Sequence, residues 1–384
     1  MATAFFVSFG LLVYHFIVYP IILLIATSYK PSRTSQVIES GEYPTVEMIV
    51  PAHNEEGVIA DKVKNIRTLD YPGEKLAAVI ALDGCSDKTE QLLSDMLAGQ
   101  GPADNKVTVV VYRQNVGKVA VLNELVAKST AEIIALSDAS ALLDADALKR
   151  ASRYFSDMRV GVVCGSYRMN AKSSFAEQAY WRYQTFIKEL ESSFGSAIGA
   201  HGAFYLFRRS LWVSLSSDTI NDDFVLPMKI VATGARAIYA SEIGVQELEV
   251  SPPAQDIRRR IRLGAGNIQQ LAMLLELADP RRGRTAFMFI SGKALRSIVP
   301  YAFITGFVSG LIWIAERDPI LATVAAAACG MVFFLPVLAP GAWGILGVAG
   351  YIAQSNIASA LGGLLYLLGP KGAAWKVSRR GKQL

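Results

Sequence analysis

Polar residues able to grip a ligand follow four short apolar runs of this chain: Pro51–Glu55, Asp83–Asp87, Arg113–Lys118 and Asp138. Two neighbouring acids, Asp222 and Asp223, precede a further apolar stretch. A carboxylate within hydrogen-bond reach of a hydroxyl can take its proton, an effect worth roughly 10²–10⁴-fold in rate. Arg258, Arg259, Arg260 and Arg262, then Arg281, Arg282 and Arg284, border apolar segments. Such basic groups suit anionic lipid head groups or a diphosphate better than a nucleic acid, and no nucleic-acid module is recognisable. Plainer roles compete at several positions. Asn54 is placed to cap the helix that follows it, and Asp87 with Glu90 has the spacing of a capping pair. Asp222 suits a helix N-terminus through the dipole, and Asp144 and Asp146 stand where a helix DADALKRASRYF begins.

The elements that must position these residues alternate. VEMIV (46–50, ended by Pro51), LAAVIAL (76–82), VTVVVY (107–112) and EIIALS (132–137) read as strands. Between them, the stretch from Glu55 to Leu69 carries Val58, Ile59, Val63, Ile66 and Leu69 near helical spacing, and 87–97 and 119–128 are also helical. This order predicts an α/β fold with a mostly parallel sheet covered by helices on both faces. In such sheets the ligand lies beyond the carboxyl ends of the strands, where the four polar segments stand. Downstream, 175–194 reads as a long amphipathic helix, and 202–212 as a strand followed by the start of a helix. Residues 221–234 read as a helix capped by Asn221 or Asp222 and closed by Gly234. Tyr180, Trp181, Tyr183, Phe204 and Tyr205 read as core.

The 384 residues are 52% hydrophobic and 18% charged, with a net charge of +5. The apolar excess lies at the ends: residues 4–28, 298–315, 319–339 and 342–369 each reach the length of a bilayer crossing. The first run lacks the basic start and cleavage site of a signal peptide and reads as a retained anchor. Lys30 and Arg33 after it place the central domain in the cytoplasm, at the cell inner membrane. The expected divisions are an anchor at 1–29, a soluble domain at 44–256, interfacial helices at 257–297, a membrane region at 298–370 and a basic tail at 371–384. Three crossings after the domain would put that tail outside, against the positive-inside rule, unless Trp343–Gly369 is re-entrant or interfacial. Cys85, Cys164 and Cys329 show no metal-ligand spacing and fit a reducing compartment.

PAHNEE (51–56), LDGCSDKT (82–89), NVGKVAVLNE (115–124), SDAS (137–140), GAFYLFRR (202–209), NDDFVLP (221–227) and RRRIR (258–262) occur in the order of family 2 glycosyltransferases. The chain thus resembles the membrane members of that family, among them hyaluronan, chitin, cellulose and poly-N-acetylglucosamine synthases. The resemblance implies a GT-A fold, a Rossmann-like nucleotide-binding sheet, here flanked by transmembrane helices. It implies transfer of a sugar from a UDP-sugar, with Pro51, His53, Glu55 and Asp83 lining the nucleotide pocket and Lys118 meeting the diphosphate. Asp138 and Ser140 stand at the family's Asp-x-Asp motif, which carries Mg²⁺ or Mn²⁺; the second Asp is replaced by Ser140. Asp223 occupies the place of the family's catalytic base. Arg259 and Arg262, three apart on one helix face, would meet the diphosphate. His201, Gly202, Ala203 and Asp222 would border the acceptor. Leu263 replaces a Trp that lies near the acceptor sugar in processive synthases.

The expected activity is inverting transfer to a saccharide acceptor in exopolysaccharide or oligosaccharide synthesis. Transfer to a lipid acceptor, such as a polyprenyl phosphate or a ceramide-like lipid, and a non-catalytic nucleotide-binding membrane subunit remain the alternatives.

Overall fold

The structure is a computed structural model and describes residues 1–28, 43–98, 107–168, 175–248, 253–338 and 344–369. Lys30, Arg33 and the basic tail lie outside the described residues. Two compact units are present. One comprises Thr27–Ser173 and Gln178–Val250; the other comprises Met1–Ala26, Ser174–Glu177 and Ser251–Leu384. The chain begins with α1 (Ala2–Val13) and α2 (Tyr19–Ser28), joined through a π-helical turn at Tyr14–Val18.

The first unit is built on one eight-stranded sheet. Its strands are β1 (Val46–Ala52), β2 (Leu76–Asp83), β3 (Val107–Tyr112), β4 (Ile133–Ser137), β5 (Ala141–Leu143), β6 (Val160–Arg168), β7 (Phe204–Arg208) and β8 (Arg236–Glu247). They lie in the order β3-β2-β1-β4-β7-β6-β8-β5. The first four pair in parallel, as the strand–helix alternation predicts. The rest of the sheet is mixed rather than parallel: β7 runs antiparallel to both β4 and β6, β8 is parallel to β6, and β5 is antiparallel to β8. The reversed β7 pairs Phe204 with Ser137, so the start of β7 stands beside the end of β4. β4 is buried at every position, as a strand covered on both faces must be.

The connecting helices are α3 (Ile59–Arg67), α4 (Thr89–Leu97), α5 (Lys118–Lys128), α6 (Ala147–Tyr154), α7 (Phe175–Phe194) and α8 (Asp222–Ala232). Ile59, Val63 and Ile66 of α3 join Met48, Val50, Ile80 and Leu82 in the core. Pro51 does not end β1, which continues to Ala52. Pairing with β4 stops at Ile49, so the missing proline N–H breaks no ladder bond on that side. Asn54 does not cap α3, whose N-cap position is Val58. Its side-chain oxygen instead accepts the Ser86 N–H at 2.8 Å and ties two strand-end loops together. Asp87 accepts the Thr89 N–H at 3.0 Å, but Glu90 pairs with Arg113 rather than reaching back. α6 starts after Asp146 as expected; Asp146 pairs with Arg150 and Asp144 with Arg168.

The other unit is helical, with α9 (Pro253–Met273), α10 (Arg284–Met288), α11 (Leu295–Ala315), α12 (Pro319–Leu338) and α13 (Gly344–Leu368) added to α1 and α2. Small residues set its close approaches. Ser8 meets Gly306, and Phe5 stacks on Trp313 with centroids 5.9 Å apart. Gly264 lies against the Ser359 backbone and Gly362 against the Ile261 backbone, where any side chain would collide. Among the described residues two helical stretches are long and apolar enough to cross a membrane, Ala2–Ser28 and Arg284–Ala315, with mean hydropathy 2.3 and 1.8. Pro319–Phe334 is a shorter apolar helix. α13 is one unbroken helix.

Candidate active site

The loops after β1, β2 and β3 are knotted around Asp83. Its two carboxylate oxygens accept the N–H groups of Val116 at 2.6 Å and Gly117 at 2.8 Å. Gly117 has φ +93°, a left-handed conformation that favours glycine and turns both N–H groups toward one anion. Gly84 lies directly on the Asn115 backbone and leaves no space for a side chain. The Asp83 carbonyl lies 2.6 Å from His53 Nδ1. A carbonyl can only accept, so Nδ1 carries the proton of this bond. Asp83 is buried and spends both oxygens on this loop. Glu55 is half-buried, and its N–H donates to Thr89 Oγ1 at 2.9 Å.

Gly117 directs the next residue, Lys118, into a group of acids. Lys118 Nζ donates to Asp138 Oδ1 at 3.0 Å and lies 3.6 Å from Asp222 Oδ2. Burial opposes the charge of Lys118, but the carboxylates of Asp138, Asp222 and Asp223 outweigh that and hold its pKa above the ordinary lysine value. The ammonium therefore stays charged beside these acids. Asp222 Oδ2 is buried without a hydrogen-bond donor. The Tyr205 hydroxyl is in the same condition, its pKa raised by burial and then by Asp222, Asp223 and Asp138.

α8 starts at Asp222, with Asn221 at the N-cap position and no side-chain cap; Gly234 closes it at φ +99°. Pro227 lies inside this helix and has no N–H for the Asp223 carbonyl. That carbonyl instead accepts the Ala200 N–H at 3.3 Å, fastening the loop before β7 to the start of α8. In this loop a Cβ built on Gly202 would stand 2.8 Å from Asp223 Oδ2, so the carboxylate rests against a residue with no side chain. The Asp138 N–H donates to the Ala203 carbonyl at 3.1 Å. His201 stacks on Tyr167 with centroids 4.6 Å apart, and Trp181 lies 4.8 Å from its ring. The sheet unit thus gathers Lys118, Asp138, Asp222 and Asp223 in one electrostatic cluster, with Gly202 and Ala203 against it and His201 packed among aromatic rings.

The donor set suits a hard divalent cation: the Asp138 carboxylate, a half-buried Ser140 hydroxyl and, at Asp222 Oδ2, a buried acid oxygen lacking a hydrogen-bond donor. Among the described residues no three His, Cys, Asp or Glu side chains are grouped to hold a metal by themselves. Mg²⁺ or Mn²⁺ would therefore rely on water and phosphate oxygens for its remaining ligands. Arg259 is exposed and Arg262 half-buried on α9, in the other unit. Sequence reasoning passed over Lys62 and Tyr205. Lys62 was visible as a lysine on the apolar stripe of α3, between Ile59, Val63 and Ile66; Tyr205 gave no signal beyond a core aromatic.

The family described as "Glycosyltransferase like family 2" matches residues 44–266. The chain is 28% identical over 212 residues to the beta-monoglucosyldiacylglycerol synthase of Nostoc sp. (strain PCC 7120), covering 52% of this chain and 44% of that one. It is 21% identical over 277 residues to an N-acetylglucosaminyltransferase of Rhizobium meliloti, covering 67% and 63%. The chain spans less than half the length of the glucosyldiacylglycerol synthases it matches. A mannosyltransferase from Pyrobaculum calidifontis, solved in complex with GDP-Man and Mn²⁺, superimposes with a TM-score of 0.72 over 94% of this chain and 99% of that one. At 23% identity that likeness is one of fold, a GT-A-like α/β architecture. These relatives are glycolipid synthases and N-acetylglucosaminyltransferases rather than the hyaluronan, chitin or cellulose synthases that the motifs suggested. With more than half of its length inside the family match, the chain belongs to the glycosyltransferase-like family 2.

Proposed function

We propose that this chain is an inverting glycosyltransferase of the inner membrane, moving a sugar from a nucleotide-sugar donor to an acceptor at the cytoplasmic face. The observation that carries this reading is the Lys118–Asp138–Asp222 cluster, with Asp223 seated on Gly202 at the strand ends of the sheet. In this mechanism the loops of Pro51, His53, Glu55 and Asp83 receive the nucleotide, Asp83 by holding the 115–117 backbone in shape. Asp138 and Ser140 would hold the divalent ion, which offsets the charge that builds on the leaving nucleoside diphosphate. Lys118 shifts its ammonium from Asp138 toward the diphosphate. Asp223 takes the proton of the acceptor hydroxyl as that oxygen attacks the anomeric carbon from the opposite face. His201, Gly202, Ala203 and Asp222 border the acceptor. Arg259 and Arg262 are assigned to the donor diphosphate on the family motif alone.

A lipid acceptor is favoured over a growing polysaccharide. Leu263 stands where processive synthases carry Trp, apolar helices flank the sheet unit in sequence, and the Nostoc relative is a glucosyldiacylglycerol synthase. A saccharide acceptor is the second reading, supported by the Rhizobium relative and its N-acetylglucosaminyl transfer. Incubating membranes that contain the chain with labelled UDP- and GDP-sugars and Mg²⁺ or Mn²⁺ tests both. Label in the organic phase supports the lipid acceptor, and label kept in water supports the saccharide. The absence of both transfer and nucleotide release with every donor would sink the enzymatic reading and leave a nucleotide-binding membrane subunit.

A further inference from the structure

α3 turns two polar side chains inward. Lys62 is fully buried, yet its Nζ donates to Ser137 Oγ and to the Ala141 carbonyl, each at 2.6 Å. Those two residues are the ends of the turn that carries Asp138 and Ser140. Three residues on, Asn65 Nδ2 donates to the Leu143 carbonyl at 2.8 Å, and its Oδ1 accepts the Leu143 N–H at 2.9 Å. The helix thus grips the turn and the strand after it from beneath. Ser137 carries the link further, because its hydroxyl donates to the Ala203 carbonyl at 3.2 Å, the same oxygen that accepts the Asp138 N–H at 3.1 Å. Ala203 follows Gly202, against which Asp223 rests. One side chain therefore stands at the root of a network joining the Asp138 turn to the loop that seats Asp223.

A lysine is a costly way to fill a core. Burial lowers its pKa to about 7, with Asp138 and Glu247 opposing that shift. Methionine would occupy similar space without desolvating an amine. A residue that costs stability and keeps two short bonds to one turn points to a role in that turn's geometry. On the glycosyltransferase reading above, we propose that Lys62 is a positioning residue that clamps both ends of the Ser137–Ala141 turn, holding Asp138 and the Ser140 hydroxyl where a divalent ion and a donor diphosphate meet them.

Lys62→Met in the full chain tests this, with hydrogen–deuterium exchange, thermal unfolding and binding of Mn²⁺ with UDP or GDP as readouts. The expected result is an unchanged or higher Tm, with exchange at the 138–141 amides faster by about 10-fold or more. Mn²⁺ affinity in the presence of nucleotide should fall by about 10-fold, the usual effect of removing a partner that orients a metal ligand. Ser137→Ala removes one of the two bonds and should shift both quantities the same way by less; it decides the matter if Lys62→Met does not fold. Unchanged exchange and Mn²⁺ affinity, whatever the Tm, would overturn the proposal and leave Lys62 a packing residue. A wild-type chain that binds no nucleotide would defeat the glycosyltransferase reading, while the exchange result still decides the clamp.

Discussion

At the scale of single residues, the site rests on how Asp223 is held. Its carboxylate lies against Gly202, its carbonyl fixes Ala200, and Lys118 is within its electrostatic reach. Asp223→Asn keeps the shape and removes the proposed base. Transfer should fall by roughly 10²–10⁴-fold while nucleotide binding measured by calorimetry stays the same. Gly202→Ala places a methyl 2.8 Å from Asp223 Oδ2 and must displace that carboxylate. A shift of about 1 Å costs on the order of 10²-fold, so kcat should drop 10- to 100-fold with little change in donor KM. Asp138 and Lys118 stood out in the sequence as polar residues after apolar strands and Asp223 as an acid before an apolar stretch, while the roles proposed for them came from the resemblance to family 2 glycosyltransferases. Lys62 was not recognised, because a lysine near an apolar stripe usually bends its amine out to water, and only the packed core shows that this one does not.

At the scale of elements, α3 carries Lys62 and α8 carries Asp222 and Asp223. Lys62 makes a pH-dependent statement about α3. Its folded pKa, about 7, lies below the roughly 10.4 of an unfolded lysine. Between those values the unfolded chain holds the extra proton, so stability rises with pH across that window and the contribution is lost as pH falls through 7. The slope is at most about 1.4 kcal/mol per pH unit. Wild-type Tm should therefore climb between pH 7 and 10 relative to Lys62→Met; parallel Tm–pH curves for the two would refute the buried amine. In α8, Pro227→Ala returns an N–H that competes with Ala200 for the Asp223 carbonyl. That variant should lose transfer several-fold with donor binding intact, as read by a kcat decrease at constant donor KM.

At the scale of the whole molecule, divalent-ion chemistry and membrane attachment are the properties to measure. Chelation with EDTA should abolish transfer, and Mg²⁺ or Mn²⁺ should restore it; full activity after exhaustive chelation would contradict the role given to Asp138 and Ser140. The chain should stay in the membrane pellet through alkaline carbonate extraction, as expected if the Ala2–Ser28 and Arg284–Ala315 helices are inserted. The sequence by itself determined the alternation of strands and helices, the apolar segments and the strand-end position of Asp83, Lys118 and Asp138. Periodicity, turn residues and charge exclusion are local properties, and a linear pattern carries them. The tertiary structure alone decided that β7 runs backwards beside β4, that Gly202 and Ala203 thereby meet Asp223 and Asp138, and that Lys62 points inward beneath them. Strand direction and partner choice depend on contacts between residues far apart in the chain, which no window of sequence contains.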